Sequence, residues 1–64
     1  MNVDIYATSE RCAFIAVLSG NTAPAQAIWL FKQVWLERGK PRFCLDTDEV
    51  MSAIVARCYA AITV

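Results

Sequence analysis

Three acidic residues, Asp46, Asp48 and Glu49, are close enough in the sequence to share a cation. A calcium loop also needs a glycine turn and a bidentate glutamate at a fixed distance, and this segment has neither. Asp46 and Glu49 have instead the spacing of a capping box at the start of a helix, where acids also suit the helix dipole. We therefore interpret all three as helix-start residues and predict neither a bound metal ion nor a cofactor.

The cysteines Cys12, Cys44 and Cys58 are candidate nucleophiles and metal ligands, but the chain contains no histidine. A catalytic thiol or serine needs an activating base, usually histidine. The usual zinc sites need four Cys or His ligands with one closely spaced pair. Cys12 and Cys58 fall on predicted core faces, so we expect only Cys44 to be accessible. With two glycines in total, the chain also lacks a phosphate-binding loop. We predict a protein that is not an enzyme.

The composition predicts a chain that needs a partner. Residues 1–64 suffice for a single small domain, yet 58% of them are hydrophobic, against about 45–50% in typical soluble domains. The surplus must face lipid, another protein or a second copy. The longest apolar run, from Cys12 to Leu18, is far below the roughly 20 residues that span a bilayer. The first residues lack the basic start of a signal peptide, and dispersed cysteines in odd number favour a reducing compartment. We expect a cytoplasmic protein.

Two helices are predicted to position these residues. The first covers residues 23–38, with Thr22 as its cap, Pro24 in its first turn and Gly39 as its stop. The second covers residues 47–62, begins at the cap Asp46 and has a core-facing stripe that includes Ile54.

The remaining segments favour strands. Val3, Ile5 and Ala7 alternate with polar residues, which predicts a half-buried strand. Residues 12–18 are continuously apolar, which is typical of a strand buried on both faces, with a hairpin turn between it and the first strand. A helix over residues 9–19 is the alternative. A short strand is expected over residues 42–45. The predicted fold is α+β in the order β-β-α-β-α, a three-stranded antiparallel sheet with two helices packed on one face; the alternative is a mostly α fold.

The predicted helix over residues 23–38 is apolar around most of its circumference. Ile28, Phe31 and Trp35 form the stripe expected to face the core. A helix with a second apolar side is buried on that side too, which in so small a domain implies another chain. The second side holds the predicted protein interface, made of Trp29, Leu30, Gln33, Leu36 and Glu37. A homodimer is the most common arrangement for such a contact.

The resulting functional hypothesis is a small protein-interaction module, of adaptor or inhibitor type, that self-associates. One alternative is a dimeric regulator that binds nucleic acid through Lys32, Arg38, Lys40 and Arg42. Its weakness is the formal net charge of zero, because nucleic-acid-binding domains are usually basic. A protein associated with the membrane surface is the other alternative.

Overall fold

The computed structural model describes residues 1–41 and 45–63. Over these residues the α+β class is confirmed, but with four strands and one helix in place of the predicted three and two. In chain order the elements are β1 (Asn2–Ala7), β2 (Ala13–Leu18), β3 (Trp29–Trp35), α1 (Thr47–Arg57) and β4 (Ala60–Thr63). The strands form one sheet in the order β3-β1-β2-β4, and every neighbouring pair is antiparallel.

The predicted hairpin at the start of the chain is confirmed. β1 and β2 pair in register from Val3 opposite Leu18 to Ala7 opposite Phe14. The turn is held by Thr8, whose hydroxyl donates to the Ala13 carbonyl at 2.9 Å and accepts the Glu10 N–H at 3.2 Å. The alternative helix over residues 9–19 is therefore wrong. The apolar run of β2 includes β-branched residues, which favour a strand. Its pairing partner, β1, is only a few residues away in the sequence.

The helix predicted over residues 23–38 is wrong, because the middle of this segment forms β3, which pairs with β1. Aromatic and β-branched side chains suit a strand as well as a buried helix, and β1 offers a free edge to pair with. Pro24 and Gly39, which were interpreted as marking the ends of this helix, lie in turns. The Ala27 N–H donates to the Pro24 carbonyl at 3.0 Å. Gly39 has a φ of 73° in a turn in which the Lys40 N–H donates to the Glu37 carbonyl.

Both faces of the central strands are covered. α1 packs against β2 and β4, and Val50, Met51 and Ile54 reach the core from it. On the opposite face of β2, Ile15 and Val17 are also buried. Since β2 and β3 both run antiparallel to β1, they are parallel to each other, and residues 19–28 must return along the sheet between them. Gln26 of this return segment lines the same cavity as Ile15, which places that part of the segment on the face opposite α1.

The start of α1 is the one predicted from the sequence. The Asp46 carboxylate accepts the Glu49 N–H at 3.2 Å, and the Asp46 carbonyl accepts the Val50 N–H at 3.0 Å. The predicted end at Ile62 is wrong. Cys58 adopts the left-handed conformation with a φ of 70°, and its N–H donates to the Ile54 carbonyl at 2.8 Å. The chain then turns back as β4 and pairs with β2, which gives its backbone groups partners on the sheet.

The short strand predicted over residues 42–45 lies largely outside the described residues, as do Arg42 and Cys44. Cys12 and Cys58 are free thiols and both are exposed, so the prediction that they face the core is wrong. The reason is local in each case. Cys12 belongs to the hairpin turn, since β2 starts one residue later, and Cys58 is the residue that ends α1.

Candidate protein-binding surface

Large apolar side chains remain in solvent along β3. Five of them lie within one short segment, and each is between 48% and 59% exposed. Outside this segment, the other exposed large apolar residues among the described ones are Val55 on α1, at 72%, and Leu18 at the end of β2, at 38%. We call the set the aromatic edge: Ile28, Trp29, Leu30, Phe31 and Trp35.

The aromatic edge has side chains on both faces of the sheet. The pairing between β1 and β3 shifts at Phe31, because Ile5 lies opposite Lys32 whereas Tyr6 lies opposite Leu30. This β-bulge brings the Phe31 ring within 5.4 Å, between centroids, of the Phe14 ring on the α1 face of the sheet. Leu30, opposite Tyr6, points to the other face. A strand that is apolar on both faces is typical of a position inside a larger sheet.

An open cleft of about 370 Å³ lies on the α1 face beside the aromatic edge. Trp29, Phe31 and Phe14 form its apolar wall, and the β1–β2 turn, including Glu10 and Arg11, forms its rim. The cleft is open because α1 packs over β2 and β4 and does not extend over β3. It is partly open to solvent and has an apolar wall, which suits a protruding apolar side chain of another protein.

A short polar chain flanks the aromatic edge at the end of β3. The Trp35 indole N–H donates to Glu37 Oε1 at 3.0 Å, and Lys40 Nζ lies 2.9 Å from Glu37 Oε2. The Lys40 ammonium, with a smaller contribution from the Trp35 hydrogen bond, holds the pKa of Glu37 below its ordinary value. The carboxylate thereby fixes the orientation of an exposed indole ring.

The residues predicted to form the interface are found in different environments. Trp29 and Leu30 are exposed, as expected for an interface. Glu37 is exposed, but Lys40 and Trp35 already engage it. Gln33 donates from Nε2 to Asp4 Oδ1 at 2.9 Å. Leu36 is only 2% exposed and belongs to the core, so it has no surface to offer a partner in this structure.

Gln33 belongs to a polar network around the buried carboxylate of Asp4. Asp4, which is 7% exposed, accepts from Gln33 and also from the Ser19 hydroxyl at 2.8 Å on the same oxygen. A carboxylate without such donors would be strongly destabilising at this depth. The network therefore connects β1, β3 and the residue that follows β2, and it has a structural role.

Sequence reasoning missed Phe31 and Trp35 as surface residues. Together with Ile28 they were predicted to face the core, and each is more than half exposed. The error arose because the segment was assigned the 3.6-residue period of a helix, whereas side chains in a strand alternate with a period of two. A helix wheel places residues 28, 31 and 35 on one side, whereas the strand buries Val34 and, one position beyond its end, Leu36. The alternation of Val34 and Leu36 around Trp35 was the available signal.

The basic residues are partly engaged in other contacts. Lys40 pairs with Glu37, and Lys32 Nζ lies 5.2 Å from the centre of the Phe31 ring. Arg38 is exposed and Arg42 lies outside the described residues. Over the described ranges, no three metal-ligating side chains are clustered. No helix in the described part of the chain is long and apolar enough to cross a membrane.

No protein-family model, no curated protein and no solved structure matches this chain.

Proposed function

We propose that this chain is a small, non-enzymatic, cytoplasmic interaction module of adaptor or inhibitor type, and that it self-associates through the aromatic edge. The proposal depends on one observation: five large apolar side chains within one short segment are each about half exposed. Tryptophan and other aromatic residues are enriched in the energetically dominant part of protein interfaces.

The size of the surface suits a dimer. At about half exposure, an aromatic side chain of 150–250 Å² leaves on the order of 100 Å² in water, so the aromatic edge exposes roughly 500 Å². An interface of standard size takes about 800 Å² from each partner. The whole chain exposes 4337 Å², so such a contact would cover about a fifth of it. The aromatic edge supplies more than half of that area, and its immediate neighbours supply the rest.

A second copy fits because β3 lies at the border of the sheet and is apolar on both faces. An identical strand approaching antiparallel extends the sheet and covers Trp29 and Phe31 on one face and Leu30 on the other. A partner stacked on one face would leave the other in water. The zero net charge adds no repulsion between copies. Lys32 and the bulge at Phe31 limit the backbone pairing, so side-chain burial supplies most of the affinity.

Sedimentation equilibrium at micromolar concentration tests the proposal. The wild-type chain is expected at twice its 7.1 kDa mass. The double variant Trp29→Ser/Phe31→Ser is expected at the mass of one chain. Val55→Ser is the matched control, because Val55 is 72% exposed but lies on α1 outside the aromatic edge; this variant should remain a dimer. A monomeric wild type, or a folded double variant that remains dimeric, would contradict the proposal.

A further inference from the structure

Trp35 is the last residue of β3 and the member of the aromatic edge that lies nearest the turn that follows. Its neighbour Val34 belongs to the core, so the indole ring points to the other face of the sheet, where Leu30 also lies. An exposed ring without polar contacts samples several side-chain rotamers. Association has to select one of them, which costs conformational entropy.

Polar contacts already hold this ring in the single chain. The Trp35 indole N–H donates to one carboxylate oxygen of Glu37 at 3.0 Å, and the other oxygen lies 2.9 Å from Lys40 Nζ. Hydrogen bonds to an ionised group are stronger than those between neutral groups. The ring is therefore restricted to the rotamers in which its N–H reaches Glu37.

The turn that carries Glu37 and Lys40 is anchored to the start of α1. The hydroxyl of Thr47, a residue only 3% exposed, lies 3.1 Å from the Glu37 carbonyl oxygen and 3.2 Å from that of Lys40. The Gly39 N–H donates to Asp48 Oδ1 at 3.2 Å. The backbone at Glu37 is thus tied to a helix of the core, and the carboxylate projects from a fixed point.

We propose that Glu37 is a positioning residue for self-association. It holds the Trp35 ring in the orientation that the second copy meets, and it strengthens the dimer through Trp35 rather than by a contact of its own. This inference rests on the self-association proposed above. It assigns Glu37 a role unlike that of the aromatic edge, whose side chains act by burial.

The experiment compares dimer dissociation constants by sedimentation equilibrium of the full chain. Glu37→Ala removes the acceptor and should raise Kd about two- to tenfold, the effect of leaving one more side chain to be immobilised on association. Glu37→Gln keeps a side-chain oxygen that accepts the indole N–H and should restore most of the affinity. Glu49→Ala removes the same charge from an exposed position on α1 and is the matched control, with Kd unchanged.

Two further readouts separate positioning from direct contact. Trp35→Phe keeps an aromatic ring but has no N–H, so adding Glu37→Ala in that background should not change Kd further. The second readout is the indole ¹H–¹⁵N signal of Trp35, recorded at concentrations where the chain is monomeric. It should move upfield in Glu37→Ala, because the proton loses its hydrogen bond, and stay in place in Glu49→Ala.

The outcomes distinguish this proposal from self-association itself. A monomeric wild type would overturn both. A dimeric wild type whose Kd is unchanged by Glu37→Ala would overturn the positioning role alone. The positioning role is also overturned if Glu37→Ala weakens the dimer equally in the Trp35→Phe background, or if the Trp35 indole signal does not move.

Discussion

The two edges of the sheet differ in what lies beside them. α1 packs beside β4, whose residues are small or aliphatic, and Ala60 and Ile62 are buried beneath it. α1 does not extend over β3, and the aromatic side chains of β3 remain about half exposed. A helix is about 10 Å wide and strands are about 4.8 Å apart, so one helix covers about two strands of a four-stranded sheet.

This difference shows how a small domain becomes dependent on a partner. At the β4 edge, α1 covers the sheet and the apolar residues are buried within the chain. At the β3 edge, the larger apolar side chains of the aromatic edge remain in solvent. We therefore expect the β4 side to determine the stability of the monomer and the aromatic edge to determine association. Substitutions on the two sides should accordingly have different effects.

The largest expected effect on stability is in the core under α1. Ile54→Ala should lower the free energy of unfolding by about 2–5 kcal/mol, because Ile54 is buried among residues of the sheet. Phe31→Ala should lower it by only about 0.5–1.5 kcal/mol, since Phe31 is about half exposed and packs against the Phe14 ring. Urea unfolding of both variants, at concentrations where the chain is monomeric, measures the difference. A larger loss for Phe31→Ala would invert the comparison.

An intermediate effect is expected at the start of α1. Asp46→Ala removes the acceptor of the Glu49 N–H and should cost about 0.5–2 kcal/mol in the free energy of unfolding. Asp46→Asn keeps an acceptor at the cap and is the matched control, with a loss expected to be much smaller. If both variants unfold at the wild-type urea concentration, the cap does not anchor this side of the sheet.

The smallest effect concerns the polar chain beside the aromatic edge. The pKa of Glu37 is lowered by Lys40, so its contribution to stability is present above the ordinary glutamate pKa and is lost as the pH falls through the lowered value. Lys40→Met should raise the pKa of Glu37 towards its ordinary value, as followed by NMR titration of the side-chain carboxyl. Because the group is exposed, the midpoint of unfolding should hardly move. An unchanged pKa would show that the ion pair does not persist in solution.

Local signals in the sequence were sufficient for some of the fold. Alternation in β1, the apolar run of β2 and the capping residues of α1 act over a few positions, and all three elements start close to where they were predicted. β3 is different, because its partner β1 is distant in sequence, with Asn2 opposite Trp35. Four consecutive apolar residues, from Ile28 to Phe31, fit a helix and a strand equally well.

The same ambiguity determined which interface residues could be predicted. The helical period placed Trp29 and Leu30 outside the core-facing stripe, and they are exposed. Leu36 was placed beside them by the helical period, whereas in the strand it shares the core-facing side with Val34. The end of α1 was also missed, because Ala61 and Ile62 fit the core stripe of a longer helix, whereas β4 buries Ala60 and Ile62 on one face.

The most direct test of the central claim is an isotope-filtered NOE experiment on an equimolar mixture of ¹³C-labelled and unlabelled chain. Such an experiment detects only contacts between different molecules. We expect intermolecular contacts from the side chains of Trp29, Leu30 and Phe31 to the same segment of the second copy. Intermolecular contacts confined to Val55 or to β4, or the absence of any at millimolar concentration, would contradict association through the aromatic edge.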